Sequence, residues 1–484
     1  MSALIHDLIT SAARVAPGRA ALIAEDGATT TFAEFDRLVR AASGWVAERT
    51  SPGDRVAVIA DNSVDYARLY YAVPRAGRIL VLINQRLAAA ERLAQLATVA
   101  PALVIGDPHY LIEVGDYPAV SFQAPDWLAA HDHSSAVDVR PGADDAAWLL
   151  FTSGSTGIPK PVVHSHRSIT AAVAGTVAGR SVRPAGVYLL PFPMCHIAGY
   201  NMLVHHSVAS TVLPVAAFRP AEFAAAVKTH GVTSCSLAPT MLHSLLAYLD
   251  DTGMTLPSLR DIAYGSSAIS ADLLRRALDR LDVGFHQGYG MTETGGNITF
   301  LGPDDHRSTA AVLATAGRPH AGVELRIAPD GEILVRGDQV ATSFWPDRPS
   351  TEQGWLHTGD VGHIDETGRL TVVDRLKDII ITGGENVSSR EVEDVLSGHP
   401  DVDQVAVVGV PDDYWGEAVC AVVVPRAGAT TDADELVSYV RARLTAFKRP
   451  RHVVFTAELP VTTNGKVAKQ VLRQQVRERL SPQR

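Results

Sequence analysis

Cysteine is scarce in this chain, with three in 484 residues at Cys195, Cys235 and Cys420, far apart and in apolar or mixed surroundings. No CxxC pair exists, so neither a disulfide framework nor a cysteine metal site is expected, and the usage fits a reducing compartment. There is no uncharged apolar run near the roughly 18 residues that a membrane span needs. Basic residues are not in excess either: Lys+Arg total 43 against 53 Asp+Glu, a formal net charge of -10. That balance argues against a nucleic-acid-binding surface and requires anionic ligands to be met by local cations. The N-terminal stretch lacks a charged leader with an apolar core and cleavage site; Leu4, Ile5, Leu8, Ile9 and Ala12 share one helical face opposite Asp7. These absences lead to the expectation of a cytoplasmic protein with no membrane span and no nucleic-acid partner.

The length calls for more than one core, and the 46% hydrophobic content supplies them. Between Thr31 and Asn84 an amphipathic run over 32–48, an apolar strand over 55–60, a helix near 63–76 and a strand over 79–83 alternate, the pattern of a layered α/β domain. The alternation returns with strands at 147–151, 232–237 and 261–264. After Ala316 the texture changes to short extended segments with tight turns, Pro329-Asp330-Gly331-Glu332 and Glu366-Thr367-Gly368-Arg369 among them, which predicts a small β-rich subdomain. Beyond Leu376 a compact α+β unit is expected. Ser388 and Glu391 offer a capping box to a helix ending near Leu396, strands follow at 405–410 and 419–424, and Leu436, Val437, Val440 and Leu444 form a helical stripe. The fold class is therefore α/β, with residues 1–376 as a large N-terminal domain and 377–484 as a small, mobile C-terminal one.

Two segments three hundred residues apart carry the chemistry. The loop Thr152-Ser153-Gly154-Ser155-Thr156-Gly157-Ile158-Pro159-Lys160 follows a strand and combines glycines, hydroxyls and a lysine, a composition suited to holding phosphate on converging backbone N–H groups. It is not a Walker A string and contains no G-x-S-x-G elbow. Near the end of the chain, Lys466 lies in Thr462-Thr463-Asn464-Gly465-Lys466. A short Ser/Thr/Gly cluster is ordinarily a surface turn, and the full ordered string is what separates this one from that reading.

In that order the loop matches the signature of adenylate-forming enzymes, and the chain resembles the acyl-CoA synthetase branch of that superfamily, the branch of 4-coumarate:CoA ligase. Further strings extend the resemblance over nearly the whole chain. Gln287-Gly288-Tyr289-Gly290-Met291-Thr292-Glu293-Thr294 is similar to the second nucleotide motif, Trp355-Leu356-His357-Thr358-Gly359-Asp360 to the ribose motif, and Asp374-Arg375-Leu376-Lys377-Asp378 to the hinge motif.

The resemblance implies ATP as cofactor, Mg²⁺ held by Glu293, and coenzyme A as co-substrate. It implies Thr152, Ser153, Gly154, Ser155, Thr156, Gly157, Lys160 and Thr292 at phosphate, Tyr289 near adenine, and Gly265, Ser266, Gln287, Gly288 and Gly290 along the nucleotide. Asp360 and Arg375 would meet the ribose, Lys377 would be the hinge, and Gly383 and Gly384 would line the thiol channel. Lys466 would bridge carboxylate and α-phosphate during adenylation. His196 would stand between acyl pocket and channel, although a lone histidine in an apolar stretch is ordinarily a hydrogen-bonded core residue. Its neighbour Cys195 is not its partner if the segment is extended, because adjacent side chains then face opposite ways. His164, His166, His205 and His206 show no metal-ligand pattern, and packing is their default role.

By the same resemblance the acid pocket comprises His196, Ile197, Gly199, Tyr200, Ser236, Ala238, Tyr264, Gly265, Gly288 and Met291. No aspartate stands in its first segment to receive an α-ammonium, which disfavours an amino acid and leaves aliphatic and aromatic acids open. Three departures stand out: Pro161 where glycine is usual, Gly265-Ser266-Ser267-Ala268 in the pocket strand, and Ser388-Ser389 in place of Tyr-Pro. The function implied is an ATP-dependent carboxylic acid:CoA ligase acting on a small-molecule acid. A carrier-protein thiol or an amine is the alternative acyl acceptor, and the sequence leaves room for a homodimer. A non-enzymatic nucleotide-binding regulator would be expected to lack Glu293 or Lys466, and both are present.

Overall fold

The computed structural model describes residues 4–133, 140–152, 160–265, 269, 271–461 and 467–480. Two large sheets dominate. One has eight strands in the order Arg348–Pro349, Ser343–Phe344, Lys160–Ser165, Ala146–Thr152, Ile79–Leu82, Arg55–Ile59, Leu103–Gly106, Ala119–Ser121. Its last five strands pair in parallel. The other has nine strands, Arg318–Pro319, Gly296–Leu301, Gly284–Met291, Asp261–Gly265, Ser234–Leu237, Val187–Leu190, Thr211–Pro214, Ala20–Ile23 and Thr29–Thr31, parallel through its six middle members. Parallel strands are covered on both faces, which is why Val56 to Ile59 and Ile79 to Leu82 are unbroken apolar runs rather than alternating ones.

Helices fill the space between the sheets. Phe32–Arg49, Val64–Arg75 and His166–Gly179 start where Thr31, Ser63 and Ser165 accept the N–H of Glu34, Tyr66 and Ser168 at 3.1–3.2 Å, satisfying donors that the first turn leaves free. One continuous core runs from Ile5 and Phe35 through Tyr70 and Trp148 to Tyr188 and Met202, so it draws on both sheets and on the helices between them. Trp148 and Tyr70 meet edge to face at 4.8 Å.

The expected β-rich subdomain is a four-stranded antiparallel sheet, Val323–Ile327, Glu332–Gly337, Leu356–Ile364 and Leu370–Arg375. After the short turn Leu376–Asp378 comes a five-stranded sheet built around the long hairpin Val402–Asp412 and Gly416–Pro425, with helices Ser389–Ser397, Ala433–Arg441 and Lys469–Leu480. The capping box at Ser388 is half formed. Ser388 Oγ accepts the Glu391 N–H at 3.2 Å, but the Glu391 carboxylate accepts from Lys448 Nζ at 2.6–2.7 Å rather than turning back on Ser388. Pro161 lies in the body of a strand opposite Phe151, with its carbonyl accepting from Trp345 N at 2.8 Å, so its missing N–H belongs to the sheet rather than to the loop before it. No described helix is long and apolar enough to cross a membrane.

Several histidines are core residues. His206 donates from Nε2 to the Ala21 carbonyl at 3.0 Å and takes the Tyr71 hydroxyl on Nδ1 at 2.8 Å, an arrangement that fixes the neutral tautomer. Burial lowers its pKa to about 4, and His164 is lowered to about 4 by the same cause. Their folded pKa lies below the unfolded value near 6.5, so the stability they contribute is complete above pH 6.5 and is lost as pH falls toward 4. In denaturant titrations His206→Gln should flatten that acid slope by about 1.4 kcal/mol per pH unit. Parallel profiles for the variant and the parent would remove His206 from the titration.

Candidate active site

The parallel strands of the nine-stranded sheet end together at Leu237, Gly265 and Met291, the end at which open α/β sheets place ligands. Beside these ends lies a cavity with about 540 Å³ of open space, its mouth included. Of the residues expected there, Ile197, Tyr200, Ser236, Tyr264, Gly265 and Met291 form its wall. Both tyrosines are pinned: the Tyr200 hydroxyl bonds Thr176 Oγ1 at 3.0 Å and the Tyr264 hydroxyl bonds His306 Nε2 at 2.8 Å. His196, Gly199, Ala238 and Gly288 lie beside the lining rather than on it. A methyl on Gly199 would run into the Tyr70 hydroxyl, and one on Gly288 into the Asn297 amide, so both are packing glycines.

Strand Gly284–Met291 contributes Gly290 and Met291 to the cavity and continues directly into the turn Thr292–Thr294, which carries Glu293. That turn is clamped from three sides. His164 Nε2 donates to the Thr292 carbonyl at 2.7 Å, and its burial-lowered pKa keeps the ring neutral with the proton on that nitrogen. Gln339 Nε2 donates to the carbonyls of Thr294 at 2.8 Å and Asn297 at 3.1 Å. The Ala341 N–H meets the Glu293 carbonyl at 2.8 Å. The default packing role expected for His164 thus extends to positioning the turn.

On the same strand, Tyr289 donates its hydroxyl to Asp360 Oδ2 at 2.7 Å, and Arg375 Nε stands 3.4 Å from Asp360 Oδ1. Asp360 and Arg375 face each other across the antiparallel pair Leu356–Ile364 and Leu370–Arg375. Burial, then the neighbouring Asp360 carboxylate, pushes the Tyr289 phenol well above its ordinary value, so it keeps the proton it donates to Asp360. Three residues from motifs spread over almost ninety positions therefore make one hydrogen-bonded group. Gln287 lies two residues earlier, with a buried carboxamide oxygen that finds no donor among the described residues.

Thr152 and Lys160 stand opposite each other where strands Ala146–Thr152 and Lys160–Ser165 pair, and the Thr152 hydroxyl donates to the Lys160 carbonyl at 3.3 Å. Ser153, Gly154, Ser155, Thr156 and Gly157 between them, Ser266 in the pocket segment, and Lys466 lie outside the described residues. Cys195 and His196 are not on an extended strand, contrary to the expectation. They occupy a turn that leads into the short helix Ile197–Tyr200. The dyad is excluded for another reason: burial pushes the Cys195 thiol up to about 12, so no thiolate forms near neutrality. Lys377 sits in the turn Leu376–Asp378, where its carbonyl accepts from Arg473 at 3.3 Å. Gly383 and Gly384 have φ of 61° and 84° at the tip of the hairpin joining Ile380–Thr382 to Glu385–Val387, a two-residue turn that demands left-handed backbone at both positions.

Arg180, Asn201, Asn297 and Gly296 also line the cavity and went unread in the sequence. Arg180 is the residue after a helix and resembles a surface cap; only the packing of that helix under the sheet turns it inward. Asn297 sits one strand over from the nucleotide motif, and no local signal marks it.

Residues 9–345 match the family model described as AMP-binding enzyme, and residues 391–466 match AMP-binding enzyme C-terminal domain. A feruloyl-CoA synthase from Amycolatopsis sp is 36% identical over 94% of this chain and 96% of its own. A long-chain-fatty-acid–CoA ligase from Mycobacterium tuberculosis is 33% identical over 92% and 93%. Among solved structures, the amide bond synthetase McbA from Marinactinospora thermotolerans superposes with a TM-score of 0.88 at 32% identity, covering 97% of this chain and 99% of that one. The chain belongs to the AMP-binding enzyme family.

Gly296 tests the cavity wall. Its φ is 144°, and an added Cβ would lie 2.6 Å from the buried, hydrogen-bonded Tyr200 ring. Gly296→Ala should destabilise the protein by about 2 kcal/mol in urea titrations, since overpacking of a fixed ring typically costs that much, and should raise the KM for the acid more than that for nucleotide. An unchanged acid KM would show that this wall does not contact substrate.

Proposed function

We propose that this member of the AMP-binding enzyme family is an AMP-forming carboxylic acid:coenzyme A ligase. One observation carries the reading: strand Gly284–Met291 lines the acid cavity with Gly290 and Met291, ties Tyr289 to Asp360, and delivers Thr292 and Glu293 at its end. Acid site and nucleotide residues therefore share one rigid element. The names of the relatives, acyl-CoA ligases over nearly their full length, support the same reaction.

In the first half-reaction a carboxylate oxygen of the acid attacks the α-phosphorus of ATP, the bond to the β-phosphate oxygen breaks, and pyrophosphate leaves. Two anions must be brought together, so the protein's task is to place positive charge and donors in advance. We assign ribose contacts to Asp360 and Arg375, the base side to Tyr289 and Gln287, and phosphate contacts to Thr152, Ser153 to Gly157, Lys160 and Thr292. The partnerless Gln287 carboxamide oxygen is an acceptor that an amino group of a nucleobase would satisfy. Lys466 is assigned to neutralise the carboxylate and α-phosphate together. Glu293, carried in the turn that ends the strand, is the hard oxygen donor we assign to Mg²⁺, which would leave its remaining positions to phosphate and water. Bound there, the ion would offset phosphate charge.

In the second half-reaction the coenzyme A thiolate attacks the acyl carbon, the acyl–phosphate bond breaks, and AMP leaves. We place the domain boundary at Leu376 and the hinge at Lys377, with Gly383 and Gly384 along the thiol's path. The four-stranded sheet ends at Arg375, the five-stranded sheet begins at Ile380, and a single turn joins them. The contacts across this joint are polar. Asp374 Oδ2 accepts from Ser388 at 3.1 Å and Ser389 at 2.8 Å, and Arg390 Nη1 donates to the Val372 carbonyl at 2.9 Å. Such contacts exchange for water at little net cost, which suits a unit that rotates. Ser388 and Ser389, a departure from the family pattern, thus supply this joint.

Transfer to an amine remains the second reading, because the chain is as similar to the amide bond synthetase McbA as to the CoA ligases. A panel of carboxylic acids scored for pyrophosphate release, with products weighed after adding coenzyme A, an amine or a carrier protein, decides between them. Acyl-CoA with AMP is expected. Acyl-adenylate that persists with coenzyme A and is consumed by amine would overturn the ligase assignment. Lys466→Ala should cut adenylate formation roughly 10²–10³-fold, the effect of losing one preorganised donor at developing charge, while leaving thiol attack on preformed adenylate largely intact. Equal loss in both half-reactions would contradict the role given to Lys466.

A further inference from the structure

The acid cavity contains a buried charge that adenylation and thioester formation do not require. Arg180 follows the helix His166–Gly179, is 5% exposed, and forms part of the cavity wall. A guanidinium stays charged at any physiological pH and presents five N–H donors. One of them, on Nη1, meets Asn201 Oδ1 at 3.0 Å, while Nε has no partner among the described residues. No carboxylate of the described residues lies within 4 Å of it. Its charge acts on Tyr188, Tyr200, Cys235, His205 and Asp261. Asp261 is the carboxylate in this group, and it is engaged by His286 at 3.2 Å.

Leaving a guanidinium buried without a counter-ion is costly, and evolution usually replaces such a charge with an apolar side chain unless something pairs with it. Arg180 and Asn201 belong to helices that carry none of the nucleotide residues, whereas Gly290 and Met291 run straight into Thr292 and Glu293. The charge and the nucleotide motif therefore reach the cavity on separate elements. Phe192, Ile197, Leu237, Tyr200, Tyr264 and Met291 supply apolar and aromatic wall.

Building on the ligase reading above, we infer that the substrate is a dicarboxylic acid with an apolar spacer, one carboxylate being adenylated and the other docking on Arg180. The guanidinium fork matches a carboxylate with two parallel hydrogen bonds, using the donors that the protein leaves unmet. Asn201 orients the fork through its accepted bond. The apolar wall selects the spacer, aliphatic or aromatic, and rejects polar substitution along it. A monocarboxylic acid of the same length would leave the charge buried against a methyl group, which is the kind of mismatch that enzymes discriminate most strongly.

The test compares kcat/KM for matched pairs that differ by a far-end carboxylate or methyl: adipate with hexanoate, suberate with octanoate, terephthalate with p-toluate. The parent enzyme should favour the dicarboxylate of at least one pair by roughly 30-fold, the worth of a charged hydrogen bond. Arg180→Met should lower that dicarboxylate-to-monocarboxylate ratio by a similar factor, and Arg180→Lys should restore part of it. Preference for the monocarboxylate in all three pairs, or an unchanged ratio in Arg180→Met, overturns the inference. If none of the acids releases pyrophosphate the ligase reading fails, and calorimetric titration of the same dicarboxylates without ATP still decides the subsite. Binding to the parent that is lost in Arg180→Met upholds it, and absence of binding to the parent rejects it.

Discussion

The site depends on one strand being flanked by backbone on both sides. Gly284–Met291 pairs in parallel with Asp261–Gly265 and antiparallel with Gly296–Leu301, and its ladder admits almost no side-chain bulk near the ligand end. A Cβ at Gly265 would press on the Gly288 carbonyl at 2.5 Å. Pairing with Gly296–Leu301 continues past a register shift at Tyr289 and Gly290 to Met291, so the cavity wall and the Thr292–Glu293 turn are carried by one paired strand. Clamping of that turn by His164, Gln339 and Ala341 then follows from the same geometry, because each reaches a carbonyl that the ladder has left unpaired at its end.

Around this rigid element the protein arranges charge by burial. Histidines in the core are held neutral, cysteine thiols are held protonated, and the Tyr289 phenol is kept as a donor to Asp360. Arg180 cannot respond in that way, since a guanidinium does not give up its proton, and it is left to be paired from outside the chain. The joint near Leu376 follows the opposite rule. Asp374 meets Ser388 and Ser389 there through hydrogen bonds, and Arg390 bonds the Val372 carbonyl.

Much of this was legible in the residues. The α/β layering followed from apolar runs bounded by turns, and the family from ordered strings such as Thr152 to Lys160 and Gln287 to Thr294. Six of the expected pocket residues form the cavity wall. What failed was local in reach. Glu391 was read as the partner of the Ser388 backbone, but Lys448, fifty-seven positions later, takes its carboxylate. Pro161 stands out in sequence only as a replacement for glycine, and the register with Phe151 puts it in a strand. The Cys195–His196 segment was read as extended, whereas it turns into a short helix.

By itself the sequence determined what neighbouring residues or an ordered string can encode: periodicity, the Ser388 cap and the ordered motifs that mark the family. Only the tertiary structure decided that Tyr289, Asp360 and Arg375 form one group, that His164 holds the Thr292 carbonyl, and that Arg180 faces the acid cavity. The reason is physical. Burial and pairing between side chains far apart in the chain depend on how helices seat against sheets, and a charge at a helix end looks the same in sequence whether packing leaves it in water or turns it inward.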